Sequence, residues 1–111
     1  MALIKIKIPP FYKDVTEQSP CDVTIYVNDC IVWQGYSGRI AAFDATVQCY
    51  TVCLFKDVNV GGFLSFSRDM IISNTLYPGK SYTVQYQEIT HPTIPPTKSP
   101  LVLTEVADLN P

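Results

Sequence analysis

The sequence predicts an all-β fold, an antiparallel β-sandwich of about seven or eight strands, and three observations support this. Apolar side chains recur at every second position over much of residues 22–55, which is the period of a strand. Turn-forming residues separate the apolar runs. No segment shows ten residues of helical periodicity, so no helix is available as a crossover between parallel strands.

The first predicted strands are defined by alternation and by turns. The strand near 2–8 alternates isoleucine with lysine, which predicts one solvent-exposed face. The strands near 22–27 and 30–34 flank the turn dipeptide Asn28-Asp29 and are predicted to form a hairpin. A glycine-containing turn then leads to a strand near 38–44.

The next predicted strand, near 46–55, is apolar on both faces. One face carries Val47, Cys49, Cys53 and Phe55, and the other carries Tyr50, Val52 and Leu54. Such a strand is either central in its sheet with a partner on its outer face, or it contains a bulge that switches its register midway. The first alternative predicts that Cys49, Cys53 and Phe55 lie at a contact.

The later strands are predicted near 62–66, 70–73 and 81–89. Pro78-Gly79 suits the central pair of a type II turn before the last of these, because glycine accepts a positive φ. In the last strand the aromatic face, with Tyr82, Val84 and Tyr86, should point inward. The only segments that could form a helical turn or two are 67–74 and 104–109.

The chain length of 111 residues fits one domain. We expect the sandwich to span 1–90 and a proline-rich extended arm to span 91–111, because four of the nine prolines fall within 91–100. The arm could add a strand to its own sheet or to a neighbour's. It therefore supplies further predicted interface residues, namely Ile94, Leu101, Val102 and Leu103. Pro9-Pro10 similarly separates the first strand from the body as an extended amino-terminal segment, and docking on the chain's own domain is the expected outcome for both ends.

The composition favours contacts with other proteins. Hydrophobic residues make up 47% and charged residues 16%, against about 25% charged in an average soluble chain. The net charge of -2 without charged runs disfavours nucleic acid as a partner. No apolar stretch approaches the roughly 18 residues of a membrane span, and no secretory signal is evident. We therefore expect synthesis in the cytoplasm, with a place there or in a virion.

The four cysteines, Cys21, Cys30, Cys49 and Cys53, do not have the spacing of a zinc site. On a strand, Cys49 and Cys53 would be about 13 Å apart, too far to ligate one ion. Buried thiols are the expected state, with a cross-strand disulfide left open for one pair. No metal and no cofactor are predicted.

The sequence contains no recognisable catalytic set, so no enzyme activity is predicted. The only histidine, His91, lacks the context of a nucleophile or a metal centre. A small hydrolase with an unrecognised carboxylate pair stays open as an alternative, because the acidic residues are scattered along the chain. A second alternative is carbohydrate or small-ligand binding, with Trp33, Tyr36 and Tyr50 as a stacking platform.

The order of features from Val23 to Leu54 carries a resemblance to a known family. The matching segments are Val27-Asn28-Asp29, Trp33-Gln34-Gly35, Ser37-Gly38, Phe43 and Tyr50-Thr51-Val52. In this order they resemble transthyretin-like sandwich domains, including the carboxypeptidase regulatory-like and PEGA-type modules. The chain departs from that pattern at Gln48-Cys49, where the family commonly has Pro-Gly. The resemblance implies an immunoglobulin-like or transthyretin-like sandwich that serves as an accessory or interaction module.

These observations together predict a non-enzymatic structural or interaction module. We expect it to act as a subunit or adaptor of a homo-oligomer or larger assembly, with a virion or phage-tail accessory protein as one form.

Overall fold

The fold places eight strands in two four-stranded sheets, in a computed structural model that describes residues 2–11, 19–59, 67–86 and 101–107. The strands are β1 (Ala2–Lys7), β2 (Asp22–Val27), β3 (Cys30–Tyr36), β4 (Ile40–Ala45), β5 (Cys49–Asn59), β6 (Ser67–Leu76), β7 (Ser81–Tyr86) and β8 (Leu101–Val106). The described residues contain no helix. The all-β prediction is confirmed, and the strand predicted near 62–66 lies outside the described residues.

The first sheet has the order β4-β1-β7-β8 and the second has the order β3-β2-β5-β6. Neighbouring strands are antiparallel except β1 and β7, which pair in parallel. The sheets approach each other at both edges, where β3 contacts β4 and β6 contacts β8. The buried apolar side chains lie between the sheets, as expected for two layers around one core.

The expected docking of the first strand on its own domain is confirmed, and Pro9-Pro10 does not detach it. β1 lies inside its sheet, and the side chains of Ile4 and Ile6 are fully buried. The chain after β1 is also fixed, because the backbone N–H of Gly38 donates to the carbonyl oxygens of Ile8 and Pro9, at 3.0 and 3.1 Å. Pro9 and Pro10 have no N–H to donate to a neighbouring strand, but burial of the alternating isoleucines stabilises β1 in its sheet.

Two predicted turns are confirmed by their backbone geometry. Asn28 and Asp29 both have positive φ, 50° and 65°, as a two-residue hairpin loop of type I′ requires. Gly79 has a φ of 79°, and the N–H of Lys80 donates to the carbonyl of Tyr77 at 3.3 Å. This is the hydrogen bond that closes a β-turn around Pro78-Gly79.

β5 is a central strand, between β2 and β6, and it keeps one register from Cys49 to Phe55. The bulge lies further along, where the pairing with β6 shifts between Phe55 and Val58. Asp57 has a φ of 56° there, and its N–H donates to Oδ1 of Asp69 at 3.1 Å. The central-strand alternative therefore holds for 49–55, and the bulge returns Val58 to the core, where it is 1% exposed.

β6 differs from the sequence prediction, and β8 matches one of its alternatives. β6 runs over Ser67–Leu76, so the segment 67–74 is strand and not a helical turn. β8 pairs with β7 of the same chain, with Leu101 2% exposed and Leu103 packed against the core. The arm therefore adds its strand to its own sheet, one of the two predicted alternatives, and Leu101 serves the core of its own domain. Ile94 lies outside the described residues.

Candidate functional site

The outer faces of the two sheets differ in chemistry. On the first sheet, Lys5 and Lys7 of β1 stand in register with Ser81 and Thr83 of β7. The exposed apolar side chains of this face have charged cross-strand neighbours, since Leu3 pairs with Asp44 and Ile40 pairs with Lys7. This face is polar overall, as expected for a sheet surface in contact with water.

The second sheet carries a contiguous group of outward apolar side chains, which we call the apolar face. It comprises Tyr26, Ile31, Tyr50, Val52, Leu54 and Ile71. Ile31, Tyr50 and Ile71 are 53%, 54% and 54% exposed, and the other three are half-buried. The apolar face thus holds three of the nine large hydrophobic side chains that are exposed among the described residues.

Strand pairing is what brings these residues together. Tyr26 of β2 pairs with Ile31 of β3 and with Val52 of β5, and Leu54 of β5 pairs with Ile71 of β6. Side chains directly opposite across strands have their Cβ atoms about 5 Å apart. The apolar face therefore crosses all four strands without a gap.

A depression lies at each end of the apolar face; the first forms a polar border, and the second is lined largely by Tyr26, Tyr50 and Val52 of the face itself. At one end a shallow depression of about 390 Å³ is lined by Asp22, Val23, Thr24, Gln34, Gly35, Tyr36 and Lys56. At the other end a depression of about 410 Å³ is lined by Tyr26, Asn28, Asp29, Tyr50 and Val52. Asp22 and Lys56 are cross-strand partners on β2 and β5, so the first border carries one charge of each sign side by side.

The interface predicted at Cys49, Cys53 and Phe55 needs correction. All three point toward the opposite sheet and are 9%, 1% and 0% exposed. They are packed in the core of their own domain, so a partner cannot reach them. The outward residues of β5 are the other set, Tyr50, Val52 and Leu54.

The structure does not bring Trp33, Tyr36 and Tyr50 into one stacking platform. Trp33 is half-buried and packs against the core, with its indole so close to Gly35 that a Cβ there would lie 2.4 Å from the ring. Tyr36 pairs with Asp22 at the start of β2. Tyr50 lies at the opposite end, next to Thr51, which pairs with Val27 at the end of β2. Tyr36 and Asp22 align with Lys56 of β5, so six residues of strand separate the rows of Tyr36 and Tyr50, about 20 Å.

No disulfide is formed in the described part of the chain. Cys21, Cys49 and Cys53 are buried and Cys30 is exposed, so the disulfide alternative is not realised. No group of three or more His, Cys, Asp or Glu side chains among the described residues is arranged to hold a metal ion. Burial raises the pKa of the Cys53 thiol from 9.0 to about 12, since a thiolate loses its hydration there. No helix of the described residues could span a membrane.

Thiol titration of the native protein should find one cysteine that reacts quickly. Only Cys30 is exposed, and the thiolate of an accessible cysteine attacks the disulfide of the reagent. Ellman's reagent at pH 8 should therefore modify one thiol quickly and all four only in urea. Cys30→Ser should abolish the fast phase, and two or more fast thiols in the native protein would contradict the packing described here.

No family model, curated protein or solved structure matches this chain. The resemblance to transthyretin-like domains therefore stays a prediction.

The sequence prediction places the interface on the wrong side of β5 and does not identify the apolar face. Tyr50, Val52 and Leu54 are visible in the sequence as the second apolar side of one strand. Tyr26, Ile31 and Ile71 join them only through the pairing of β2, β3 and β6 with each other and with β5. No local sequence signal places those three residues on one surface.

Proposed function

We propose that this protein is a non-enzymatic structural or interaction module, a subunit or adaptor of a larger assembly that uses the apolar face as its contact surface. The observation that carries the proposal is the contiguous apolar face on one sheet only. An exposed apolar patch bordered by polar residues is typical of protein interaction sites.

The difference between the two sheets supports a contact surface over the alternative that the exposed apolar residues only reflect the composition of a β-domain. A β-domain that simply uses many β-branched and aromatic residues would show them on both outer faces. Here Leu3 and Ile40, the exposed large apolar residues of the first sheet, have charged cross-strand partners. On the second sheet Tyr26 pairs with Val52, and Leu54 pairs with Ile71. Covering the outer face of the second sheet removes apolar surface from water, which stabilises a complex by about 25 cal/mol per Å² of buried apolar area.

A particle built from many subunits is the kind of assembly that such a surface suits. Each subunit then has one face covered by a neighbour and one face in solvent. A virion or phage-tail component would meet this description.

Photo-crosslinking should identify the surface that is covered in the cell. We would place p-benzoyl-phenylalanine at Tyr50, on the apolar face, or at Tyr77, which is similarly exposed but lies after β6; the two tyrosines are 54% and 49% exposed. In the organism that encodes the protein, the probe at position 50 should give a discrete protein crosslink, and the probe at position 77 should not. Equal crosslinking at both positions, or none at position 50, would contradict the proposal.

A further inference from the structure

We propose that the apolar face binds a second copy of this chain, back to back, around a two-fold axis that runs parallel to the strands, over the midline between β2 and β5. The inference deepens the proposed function and rests on it, because it names the partner of the same surface. It follows from the strand order, the register and the placement of two opposite charges.

The midline of the sheet runs between β2 and β5, because the strand order is β3-β2-β5-β6, and the two-fold axis lies over this midline, outside the apolar face. Rotation by 180° about that axis lays β2 of one copy over β5 of the other, and β3 over β6. Positions along the strand direction are unchanged by this rotation. Residues that are cross-strand partners within one chain therefore face each other between the two chains. Sheets stacked face to face keep their strands within about 30° of each other, which this arrangement satisfies.

The register makes this face self-complementary. Asp22 and Lys56 are partners on β2 and β5, so each Asp22 would face Lys56 of the second copy, and the contact occurs twice. Tyr26 and Val52 are partners in the same way, so an aromatic ring would meet an aliphatic side chain. An isologous interface requires this reciprocity, in which residue i contacts j and j contacts i.

The alternative axis, perpendicular to the strands, is disfavoured by charge. It would reverse the direction along the strands and lay β2 over β2 of the second copy. Asp22 at one end would then approach the end that carries Asp29, in the turn after Val27. Like charges brought together at an interface are repulsive and select against that orientation.

The size of the face predicts how strong the dimer should be. Four strands spaced about 4.8 Å apart and six residues at about 3.4 Å each give a projected area of roughly 400 Å² per copy, or about 800 Å² for the pair. Specific contacts of this size belong to the weak, reversible class. We therefore expect a dimer that dissociates on dilution and weakens at high salt.

The test is a charge exchange in the full-length chain, followed by sedimentation velocity over a range of concentrations. Asp22→Lys places like charges at both intermolecular contacts of its own dimer, and Lys56→Asp does the same. Each variant alone should dimerise at least about tenfold more weakly than the natural sequence. An equimolar mixture should form a heterodimer, because both contacts then join opposite charges.

Mixing isolates the contact between chains from effects within one chain. Asp22 and Lys56 are also neighbours inside each chain, but mixing two folded variants leaves those internal pairs unchanged. Circular dichroism and thermal unfolding of each variant would confirm that both fold. Recovery on mixing thus reports only the intermolecular pairing.

A matched pair of apolar substitutions tests the face itself. Ile71 lies on the apolar face and Ile40 lies on the outer face of the first sheet; both are in edge strands, and they are 54% and 41% exposed. Ile71→Lys should weaken the dimer, and Ile40→Lys should leave it unchanged. A chain that stays monomeric up to about 1 mM, a mixture no tighter than its components, or equal effects of both lysines would overturn the inference.

The two proposals fail in different ways. If the chain is monomeric while the probe at position 50 crosslinks to a different protein, the second-copy inference is wrong and the proposed function stands. If the chain is monomeric and position 50 crosslinks to nothing, both are wrong.

Discussion

Phe55→Ala should lower the free energy of unfolding by about 3–5 kcal/mol, the range for truncating a buried aromatic side chain. Phe55 is fully buried on β5. Its ring meets that of Phe11 edge to face, with centroids 5.9 Å apart and an interplanar angle of 88°, a geometry that adds to the hydrophobic contribution. Truncation would leave a cavity between two sheets that hydrogen bonding holds at fixed positions, so the core cannot readily collapse around it.

Urea denaturation would measure the loss, with fluorescence of the single tryptophan, Trp33, and circular dichroism as independent signals. Leu54→Ala is the matched control, because Leu54 is the preceding residue on the same strand and points outward, half-buried. It should cost only about 1 kcal/mol of stability and should act mainly on association. Equal losses at the two positions would contradict the assignment of the inner and outer sides of β5.

The sides of β5 show what alternation in a sequence can and cannot determine. The pattern predicts correctly that Cys53 and Phe55 share one face and that Val52 and Leu54 share the other. Both faces are apolar, so hydrophobicity does not decide which of them the core takes. That choice is made by residues distant in the sequence, since Phe11 packs on Phe55 from outside the strand. Single-strand patterns carry no information about such contacts.

The place of β1 and the full length of β6 depend on contacts that local preference does not reveal. The prolines at 9 and 10 break pairing only after β1 has ended, and burial of its alternating isoleucines holds β1 in the sheet. Ser67–Leu76 contains Arg, Asp and Asn, which have low strand propensity. Its pairing with β5 along the whole of that strand provides what local preference does not. In contrast, the turns at Asn28-Asp29 and Pro78-Gly79 were predicted correctly, because φ preferences are local.

The buried thiol of Cys53 should make the stability of the sandwich depend on pH. Its thiol is 1% exposed among apolar neighbours, and this desolvation raises its pKa from 9.0 to about 12. In the unfolded chain the thiol is hydrated and ionises near its ordinary pKa. Unfolding above pH 9 therefore releases a proton that the folded protein retains.

The natural sequence should consequently lose more stability in alkali than Cys53→Ala. Because the folded pKa is raised, the contribution of this thiol is fully present below pH 9 and is lost as the pH rises from 9 toward 12. The extra loss should be about 1 kcal/mol at pH 10 and between about 2 and 3 kcal/mol at pH 11, on top of titrations that both proteins share. Urea denaturation at pH 8, 10 and 11 would measure it, and the pH-independent cost of the smaller side chain cancels when the slopes are compared. Cys30→Ala, at the exposed thiol, should keep the slope of the natural sequence. If Cys53→Ala instead follows the same slope, the thiol at position 53 is hydrated in the folded protein and the two sheets do not close over β5 as described.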